Sequence, residues 1–464
     1  MNKQLKYIAP ALLSACLLVS CGVVTPKYKQ PKDMGTDNLF RDTTVTDTSS
    51  IANTPWRSLF SDLVLQNLIQ EGLDQNLDLK SAMEKMKEAK ASLTQSKLEY
   101  LPSVSGAANV TRNKLSEQAT QSTSYYSTTW QAELSASWEL DVWGKLNSSR
   151  KAALASYLKT NAARRAIQTE LIATIANNYY TLLALDEELT ITRQTIKNRT
   201  EDVETMKMLK ESAVVNGAAV VQSQANLYSA EVSIPDLEQQ IHETENALCI
   251  LLGKAPGSIS RGKLAEQTPY TDLKTGIPSQ LLKNRPDVVE AELDFHKAFE
   301  EVNVARTAFY PSLTITADAG LAAFKLKDFF DHSLFFDLVG GITQPLFNKG
   351  KNRANLKIAK AQQQETFYAY KKTLLIAGQE VSNALYSYQT ATEKEATRKK
   401  QLESLEKSVD FTKELLRYNS ATNYTDVLTS EQSLLSAQLS SVSDRVQKLQ
   451  AIVSLYKALG GGWK

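Results

Sequence analysis

The sequence predicts a mainly α-helical chain that also carries two pairs of β-strands and repeats one arrangement twice. Three observations indicate this fold class: glycine and proline are scarce, apolar residues recur every seven positions over long tracts, and two shorter regions alternate with a period of two. The 464 residues include 18 glycines and 12 prolines, fewer than usual for this length, which favours long uninterrupted helices.

The charge balance excludes one class of partner. The chain has 53 lysines and arginines against 51 acidic residues, a formal net charge of +2. Two of the lysines fall within residues 1–20, so the rest of the chain is neutral. Because a neutral chain has no basic surface that attracts nucleic acid, we expect no nucleic-acid partner.

Residues 1–20 are interpreted as a lipoprotein signal peptide. Lys3 and Lys6 precede an apolar run that is too short to cross a membrane as a helix. The run ends in a Leu-Val-Ser-Cys sequence that resembles a bacterial lipobox, which predicts cleavage before Cys21 and a covalent lipid on that residue. Residues 21–60 would then form a lipidated, extended N-terminal segment. The alternative is an ordinary signal peptide followed by incidental cysteines.

Two long tracts carry the helical pattern. Between Gly144 and Gly217, 72 residues contain neither glycine nor proline; as one straight helix they would reach roughly 108 Å. From Lys351 to Leu459 there is no proline and one glycine. Apolar residues recur every seven positions in both tracts, the spacing of coiled-coil packing. Polar or glycine-containing interruptions near 217 and 420 predict that each tract folds back as a helical hairpin.

Each helical tract follows a pair of segments in which apolar residues alternate with small or polar ones. We predict strands at about 102–114 and 126–140 in the first half, and at about 311–322 and 333–347 in the second. Tryptophan and tyrosine residues occur along the first pair of segments, and phenylalanine residues occur along the second. Aromatic residues near strand ends are typical of proteins that meet a bilayer interface.

The two halves of the chain match in order. The segment Tyr100–Ser105 aligns with Phe309–Thr314, which indicates a tandem duplication. The predicted organisation is repeat 1 over 61–257, an inter-repeat linker over 258–280, repeat 2 over 281–459 and a C-terminal tail over 460–464. Each repeat contains a helix, two strands and a long helical hairpin.

A single chain would therefore supply four strands. Four strands cannot close a barrel, and an open sheet edge cannot face lipid. If the strands lie in a bilayer, several chains must combine them around a water-filled lumen, which the long helices could continue as a cylinder. The sequence thus predicts an oligomeric conduit with a membrane-embedded end and a long aqueous end.

Several motifs then match one family in order along nearly the whole chain. They are Trp56–Phe60, Trp138–Gly144, Asn284–Val288, Gln344–Phe347 and Leu455–Trp463, together with the lipobox. On these residues the chain resembles the outer-membrane factors of tripartite efflux systems, which are TolC-like, and most of all the lipoprotein branch that serves RND pumps.

The resemblance implies a homotrimer with a twelve-stranded barrel in the outer membrane, four strands from each chain, and an α-helical periplasmic tunnel. Its implied function is a passive exit duct, which conducts solutes from an inner-membrane RND or ABC pump and a periplasmic adaptor protein across the periplasm and outer membrane. Two alternatives stay open: a periplasmic adaptor lipoprotein, and a non-catalytic structural stalk or secreted enzyme.

No catalytic pattern stands out in the sequence. The three histidines lack metal-ligand spacing, and no triad, carboxylate pair or cofactor motif is present. We expect no enzyme activity, no metal and no cofactor apart from the lipid on Cys21. Cys249 lies in an apolar run and is expected to be a small buried side chain. Arg285-Pro286-Asp287 is interpreted as a helix start.

The resemblance also implies a constricted periplasmic aperture just after the second hairpin turn. Asp426 matches the first acidic position of the family pattern, and Thr429 occupies the second. One carboxylate from each copy would focus the electric field and favour cations. The alternative is that Asp426 caps the descending helix. Arg417 and Tyr418, just before the turn, would latch neighbouring helices.

The hairpin tips are the expected docking surface for the adaptor. In the first hairpin this surface includes Asn216 and Gly217, and in the second it includes Ala421, Thr422 and Asn423.

Overall fold

The computed structural model of this protein describes residues 25–31, 34–36, 39–41, 48–114, 126–418 and 424–463. The signal peptide and Cys21 lie outside these ranges, and so do Ala421, Thr422 and Asn423, so their assignments stay predictions. Within the described residues, no helix combines the length and the apolar character that crossing a membrane requires.

From the helix before each pair of strands onward, the main described elements follow the same order in both halves of the chain. In the first half they are α1 (Leu63–Gln75), α2 (Leu77–Leu98), β1 (Ser103–Lys114), β2 (Tyr126–Leu140), α3 (Lys145–Glu211), α4 (Gly217–Glu231) and α5 (Ser233–Leu251). In the second half they are α6 (Pro286–Thr307), β3 (Ser312–Ala323), β4 (Leu334–Thr343), α7 (Lys351–Tyr418) and α8 (Tyr424–Ala458).

The lengths of the paired helices confirm the internal duplication. Helices α2 and α6 both have 22 residues, and α3 and α7 have 67 and 68. The descending arm of the first hairpin is divided at Val232 into α4 and α5, whereas α8 is continuous. Pro235 explains the division, because it has no N–H to donate to the carbonyl of Glu231.

Local chemistry sets the starts of several helices. The Asp62 carboxylate accepts a hydrogen bond from the Val64 N–H at 2.8 Å and so caps α1. Helix α6 begins at Pro286 with Asp287 in its first turn, which confirms the predicted helix start. Strand β4 ends at Thr343, short of the predicted 347, because Pro345 cannot donate to a strand ladder.

The four described strands form one antiparallel sheet in the order β1-β2-β3-β4. Ser103 pairs with Ser137, Trp138 with Ile315, and Ala319 with Phe336. The outer edges of β1 and β4 have no neighbouring strand among the described residues.

The register divides the sheet into an apolar face and a polar face, because paired residues share a side and successive residues alternate. The apolar face carries Val104, Val110, Trp130, Leu134, Trp138, Leu313, Ile315, Leu321, Phe336, Leu338 and Ile342. The polar face carries Ser105, Asn109, Gln131, Glu133, Ser135, Thr314, Asp318 and Asp337.

The chain divides into two compact units. One, which we call the sheet unit, comprises Lys85–Asn161, Glu290–Tyr370 and the described residues before Lys32. The other, which we call the hairpin unit, comprises Ala162–Val289 and the described residues of Asp33–Glu84 and Lys371–Lys464.

In the sheet unit, the N-terminal segment lies antiparallel along α6. The Pro26 carbonyl accepts from Asn303 Nδ2 at 3.0 Å, and Gln30 Nε2 donates to Glu292 at 3.0 Å. Between these contacts the ring of Tyr28 stacks on His296, with 3.9 Å between ring centroids. Burial between aromatic side chains raises the pKa of Tyr28 far above its usual value, so its hydroxyl stays protonated.

In the hairpin unit, the linker between the repeats packs on the helices through charged contacts. Arg261 Nη2 lies 3.0 Å from Asp186, and Arg261 Nη1 lies 2.5 Å from Glu245. Arg445 Nη2 donates to the Ala265 carbonyl at 2.9 Å. Cys249 is buried and unpaired, as predicted.

The start of α6 is held by the C-terminal end of the chain. The Arg285 side chain is 6% exposed and contacts Asp287, Glu380 at 2.7 Å and the Ala458 carbonyl at 3.0 Å. Trp463 Nε1 donates to the Asn284 carbonyl at 2.9 Å. The Arg-Pro-Asp segment therefore joins α6, α7 and the end of α8.

Candidate functional site

The tips of the two helical hairpins meet in one apolar group within the hairpin unit, which we call the tip cluster. Its centre is formed by Met206 of α3, Val220 of α4, and Tyr424 and Val427 of α8, none more than 9% exposed. Leu209, Val215, Ala219, Leu416 and Leu428 pack around them. Burying each large apolar side chain stabilises by about 1.5–3 kcal/mol. Apolar burial therefore holds the two tips together.

Three ionisable side chains lie about one helical turn from the tip cluster along their helices. Lys413 Nζ of α7 is 3.3 Å from Asp202 Oδ1 of α3 and 2.5 Å from Glu431 Oε1 of α8. We call this group the ion cluster. Two carboxylates facing one ammonium leave one negative charge uncompensated when all three are ionised.

Burial and neighbouring charge shift the proton affinities in the ion cluster. Burial raises the pKa of Glu431, and the carboxylate of Asp202 raises it further, while Lys413 opposes the shift. Burial alone would lower the pKa of Lys413, but the hydrogen bond and charge of Glu431 and then Asp202 raise it. Glu431 and Lys413 therefore retain their protons more tightly than the isolated side chains would.

Arg199 of α3 adds a hydrogen-bonded link between the two hairpins. It is 7% exposed, and its Nη1 donates to the Asn226 carbonyl of α4. Its Nη2 donates to Gln432 Oε1 of α8 at 3.2 Å. The two hairpin tips are thus joined by an apolar cluster, an ion cluster and a guanidinium that links three helices.

Asp426 and Thr429 lie on one exposed face of α8. The Thr429 hydroxyl donates to the Thr425 carbonyl at 2.9 Å within the helix. Because α8 begins at Tyr424, Asp426 is its third residue. The alternative that placed Asp426 at the cap is therefore wrong, although its carboxylate still lies in the first turn, where the helix dipole favours it.

Asn216 and Gly217 lie at the turn of the first hairpin. The Asn216 side chain accepts a hydrogen bond from the Ala219 N–H at 3.2 Å and caps α4, whose first residue is Gly217. Arg417 and Tyr418 end α7, and their side chains lie outside the described part of the chain. The latch and docking roles of these residues stay predictions.

Sequence reasoning missed the ion cluster. Asp202 and Lys413 are more than two hundred positions apart, and each looks like an ordinary surface charge in its own helix. The sequence offers one indication of this cluster: Asp202 directly precedes Val203, one of the apolar residues that recur every seven positions in α3. Among the described residues, no group of three or more histidine, cysteine or acidic side chains is arranged to hold a metal ion.

A family profile described as "Outer membrane efflux protein" matches residues 68–254 and 277–461 of this chain. The chain is 28% identical over 452 residues to the "Probable outer membrane lipoprotein SilC" of Salmonella typhimurium, covering 96% of this chain and 97% of that protein. It is 30% identical over 469 residues to the "Pyoverdine export outer membrane protein OpmQ" of Pseudomonas aeruginosa, covering 98% and 97%.

The fold also matches a solved channel. The open state of the MtrE outer membrane channel of Neisseria gonorrhoeae superposes with a TM-score of 0.83 at 27% identity, covering 95% of this chain and 98% of that chain. These similar proteins are outer-membrane proteins, and they give no support to the alternative of a periplasmic adaptor.

Proposed function

Because this chain belongs to the outer membrane efflux protein family and is an outer-membrane exit duct of an efflux system, we propose that identical copies combine their strands into one closed wall through which solutes leave. The wall would enclose a wet lumen, and the helical hairpins would continue that lumen into the periplasm.

One observation carries this proposal: within the part of the chain that the structure describes, the sheet has two chemically distinct faces and two edges without a neighbouring strand. An apolar face suits lipid, and a polar face suits water. The unpaired N–H and C=O groups along β1 and β4 would be costly in a bilayer, so each edge needs a partner strand. Strand β1 of one copy pairing with β4 of the next satisfies both edges.

The partners follow from the same family. We infer a homotrimer that receives solutes from an inner-membrane pump of the RND or ABC type. A periplasmic adaptor would dock on the hairpin tips, where Asn216 and Gly217 lie. By binding the open form more tightly than the closed form, the adaptor would shift the tip towards opening.

We further propose that Cys21 carries the lipid. A relative named as a lipoprotein supports this assignment, as does the lipobox at residues 18–21. Several acyl chains on one cysteine would hold the protein at a membrane surface, whereas a single chain would bind weakly. Labelling with radioactive palmitate should mark the wild type and leave Cys21→Ala unlabelled. Equal labelling of the two would disprove the assignment.

The closed-wall proposal is tested by isolating the outer membrane and running the protein without heating. We expect an oligomeric band that collapses to the monomer on boiling, and discrete conductance steps when the purified oligomer enters a planar bilayer. A monomer that fractionates with soluble proteins, or a membrane-bound protein without conductance, would contradict the proposal and favour a stalk.

The aperture assignment is tested by neutralising Asp426. We expect Asp426→Asn to reduce the preference of the channel for cations, because one carboxylate from each copy is removed from a narrow opening. The matched control is Asp410→Asn, which removes the same charge from an exposed position on α7. The reversal potential in a salt gradient measures the preference. Equal shifts in both variants would count against an aperture at Asp426.

A further inference from the structure

The apolar face of the sheet carries two cations at one end. Arg112 and Lys114 lie on this face, because Arg112 pairs with Thr128 and Lys114 with Tyr126 in the same alternation that places Val110 beside Trp130. Both cations are exposed, and the ring of Tyr126 lies 5.3 Å from the Arg112 guanidinium and 5.8 Å from Lys114 Nζ. This cation–aromatic group, Arg112, Lys114 and Tyr126, we call the rim patch.

No acidic residue shares the apolar face among the described strand residues. Glu133, Glu139, Asp318 and Asp337 all fall on the opposite, polar face by the same register. The cations of the rim patch are thus the two charged strand residues that face the lipid side. Charge on this side is costly at the bilayer centre, so its position along the strand matters.

The rim patch lies beyond the apolar band. On β2, Leu140 and Trp130 are ten positions apart, or about 33 Å at 3.3 Å per residue. A strand tilt of about 40° leaves about 25 Å across the bilayer, which matches the apolar height of membrane-spanning sheets. Arg112 follows two positions beyond the Val110–Trp130 pair. By the same estimate of strand length and tilt, it would lie at the depth of the lipid headgroups.

The rim patch also lies at a defined end of the sheet unit. Strand β1 follows α2, and β2 leads into α3, so the Ser103 and Leu140 ends connect to helices. The opposite end, with Lys114 and Tyr126, carries the connection between the strands. If the helices are periplasmic, as the proposed function requires, the rim patch faces the outer leaflet.

We propose that the rim patch binds a phosphate-bearing lipid headgroup of the outer leaflet. The bidentate Arg112 guanidinium and the Lys114 ammonium would donate charge-assisted hydrogen bonds to the phosphate oxygens. The Tyr126 ring would hold both side chains against the sheet. The inference rests on the proposed function, because that function sets which leaflet this end reaches.

The test uses full-length protein in nanodiscs of phosphatidylcholine that contain a small fraction of diphosphorylated lipid A. Native mass spectrometry counts the lipid A retained by each oligomer. We expect wild-type protein to retain lipid A, and Arg112→Gln with Lys114→Gln to lower the affinity roughly tenfold, equivalent to about 1.4 kcal/mol. The charge-conserving pair Arg112→Lys with Lys114→Arg should retain most of the binding.

The matched control is Lys399→Gln with Lys400→Gln, which removes two exposed positive charges from α7. This control should bind lipid A as the wild type does, and excess inorganic phosphate should not displace the lipid. Equal retention by the wild type and the double rim variant would overturn the inference, and so would displacement by free phosphate alone. If the double variant yields no oligomer, the single variant Lys114→Gln replaces it, and the lipid A that it retains is compared with that of the wild type.

Conductance separates this inference from the function on which it rests. Wild-type protein and the rim variants should conduct equally in phosphatidylcholine bilayers. If the wild type and the rim variants all conduct and retain equal amounts of lipid A, the headgroup site is refuted and the proposed function as an exit duct still stands. Absence of conductance in the wild type would instead count against the proposed function.

Discussion

Gly320 and Gly340 are both strand glycines, but their surroundings differ. A Cβ added at Gly320 would collide with the Ala132 carbonyl oxygen and lie 2.7 Å from the Glu133 Cα. A Cβ added at Gly340 would meet no atom within 4 Å. The backbone of β2 approaches β3 so closely at Gly320 that a side chain there requires the strands to separate.

We therefore predict that Gly320→Ala strongly reduces the amount of assembled protein, whereas Gly340→Ala leaves it nearly unchanged. The two variants add the same methyl group to neighbouring strands, so a general effect of replacing glycine is controlled. The unheated oligomer band in outer-membrane fractions measures assembly. Similar assembly in both variants would show that β2 and β3 are not tightly apposed at Gly320.

Arg285 shows how far a single side chain can be understood from sequence. The Pro and Asp that follow it predict a helix start, and α6 does begin there. The contacts with Glu380 and the Ala458 carbonyl were not predictable, because they join segments 95 and 173 positions away. Periodicity reports which face of a helix is buried and carries no information about distant partners.

Replacing Arg285 should destabilise the hairpin unit. We expect Arg285→Met to lower the free energy of unfolding by about 2–3 kcal/mol, because it leaves the carboxylates of Asp287 and Glu380 without their cation. This value is below the range for fully buried pairs, since both carboxylates are partly exposed. Lys399→Met on the exposed face of α7 is the control. Denaturant titration of the solubilised protein measures the stability. Equal unfolding midpoints for the wild type and Arg285→Met would contradict the prediction.

The long helices are the part of the fold that sequence describes best. Heptad spacing and the absence of proline and glycine between residues 145 and 216 predicted a single long element, and α3 spans 67 residues. The signal is reliable because helix interiors exclude these two residue types for steric and entropic reasons. The division at Val232 was missed, although Pro235 in the sequence marks it.

The ion cluster gives these helices a measurable dependence on pH. Burial raises the folded-state pKa of Glu431 above its ordinary value of 4.5, so the folded chain holds this proton more tightly than the unfolded chain. The stability that this group contributes is fully present below pH 4.5 and is lost as pH rises through the folded-state pKa.

We predict that Glu431→Gln removes this loss of stability with rising pH. The thermal midpoint of the variant relative to wild type should therefore increase between about pH 5 and pH 7.5. Glu414→Gln, an exposed position on α7, is the control and should shift the midpoint equally at both pH values. Differential scanning calorimetry at the two pH values provides the comparison, and parallel curves for wild type and Glu431→Gln would refute it.

For the whole molecule, the division of the sheet into two faces determines where it can reside. Leu134 and Ser135 are consecutive on β2, yet Leu134 lies on the apolar face and Ser135 on the polar face. Period-two alternation in the sequence predicted strands of this kind. The partner strand of each segment could not be derived from alternation, since any antiparallel register of the correct parity keeps the faces separate.

Arginine at the two positions should therefore have opposite effects. Leu134→Arg places a cation in the middle of the lipid-facing band, which costs about 2–4 kcal/mol in each copy. Ser135→Arg places it in the wet lumen, where it should be tolerated and should reduce the passage of cations. Protease protection and outer-membrane fractionation measure insertion, and equal insertion of the two variants would disprove the assignment of the faces.

The number of copies was not derivable from this chain. The four strands and open edges of one copy require partners, but any number that closes the sheet satisfies them equally. The resemblance to a known family, and not the residue pattern, supplied the trimer. The number of strands and the need to pair the outer strands follow from one sequence. The number of copies in the closed sheet depends instead on the tilt and stagger of strands from separate molecules.

The contacts of the N-terminal segment with α6 would limit where the lipid proposed on Cys21 can lie. Thr25 lies against Gly144, where β2 gives way to α3, since a Cβ at Gly144 would sit 2.9 Å from the Thr25 hydroxyl. Four peptide units separate Thr25 from Cys21, so the Cα atoms of these two residues can be at most about 14 Å apart. Acyl chains on Cys21 would therefore lie near the end of the sheet where β2 leads into α3. The length of the segment between Cys21 and Thr25 would then set how deeply the assembly sits in the membrane.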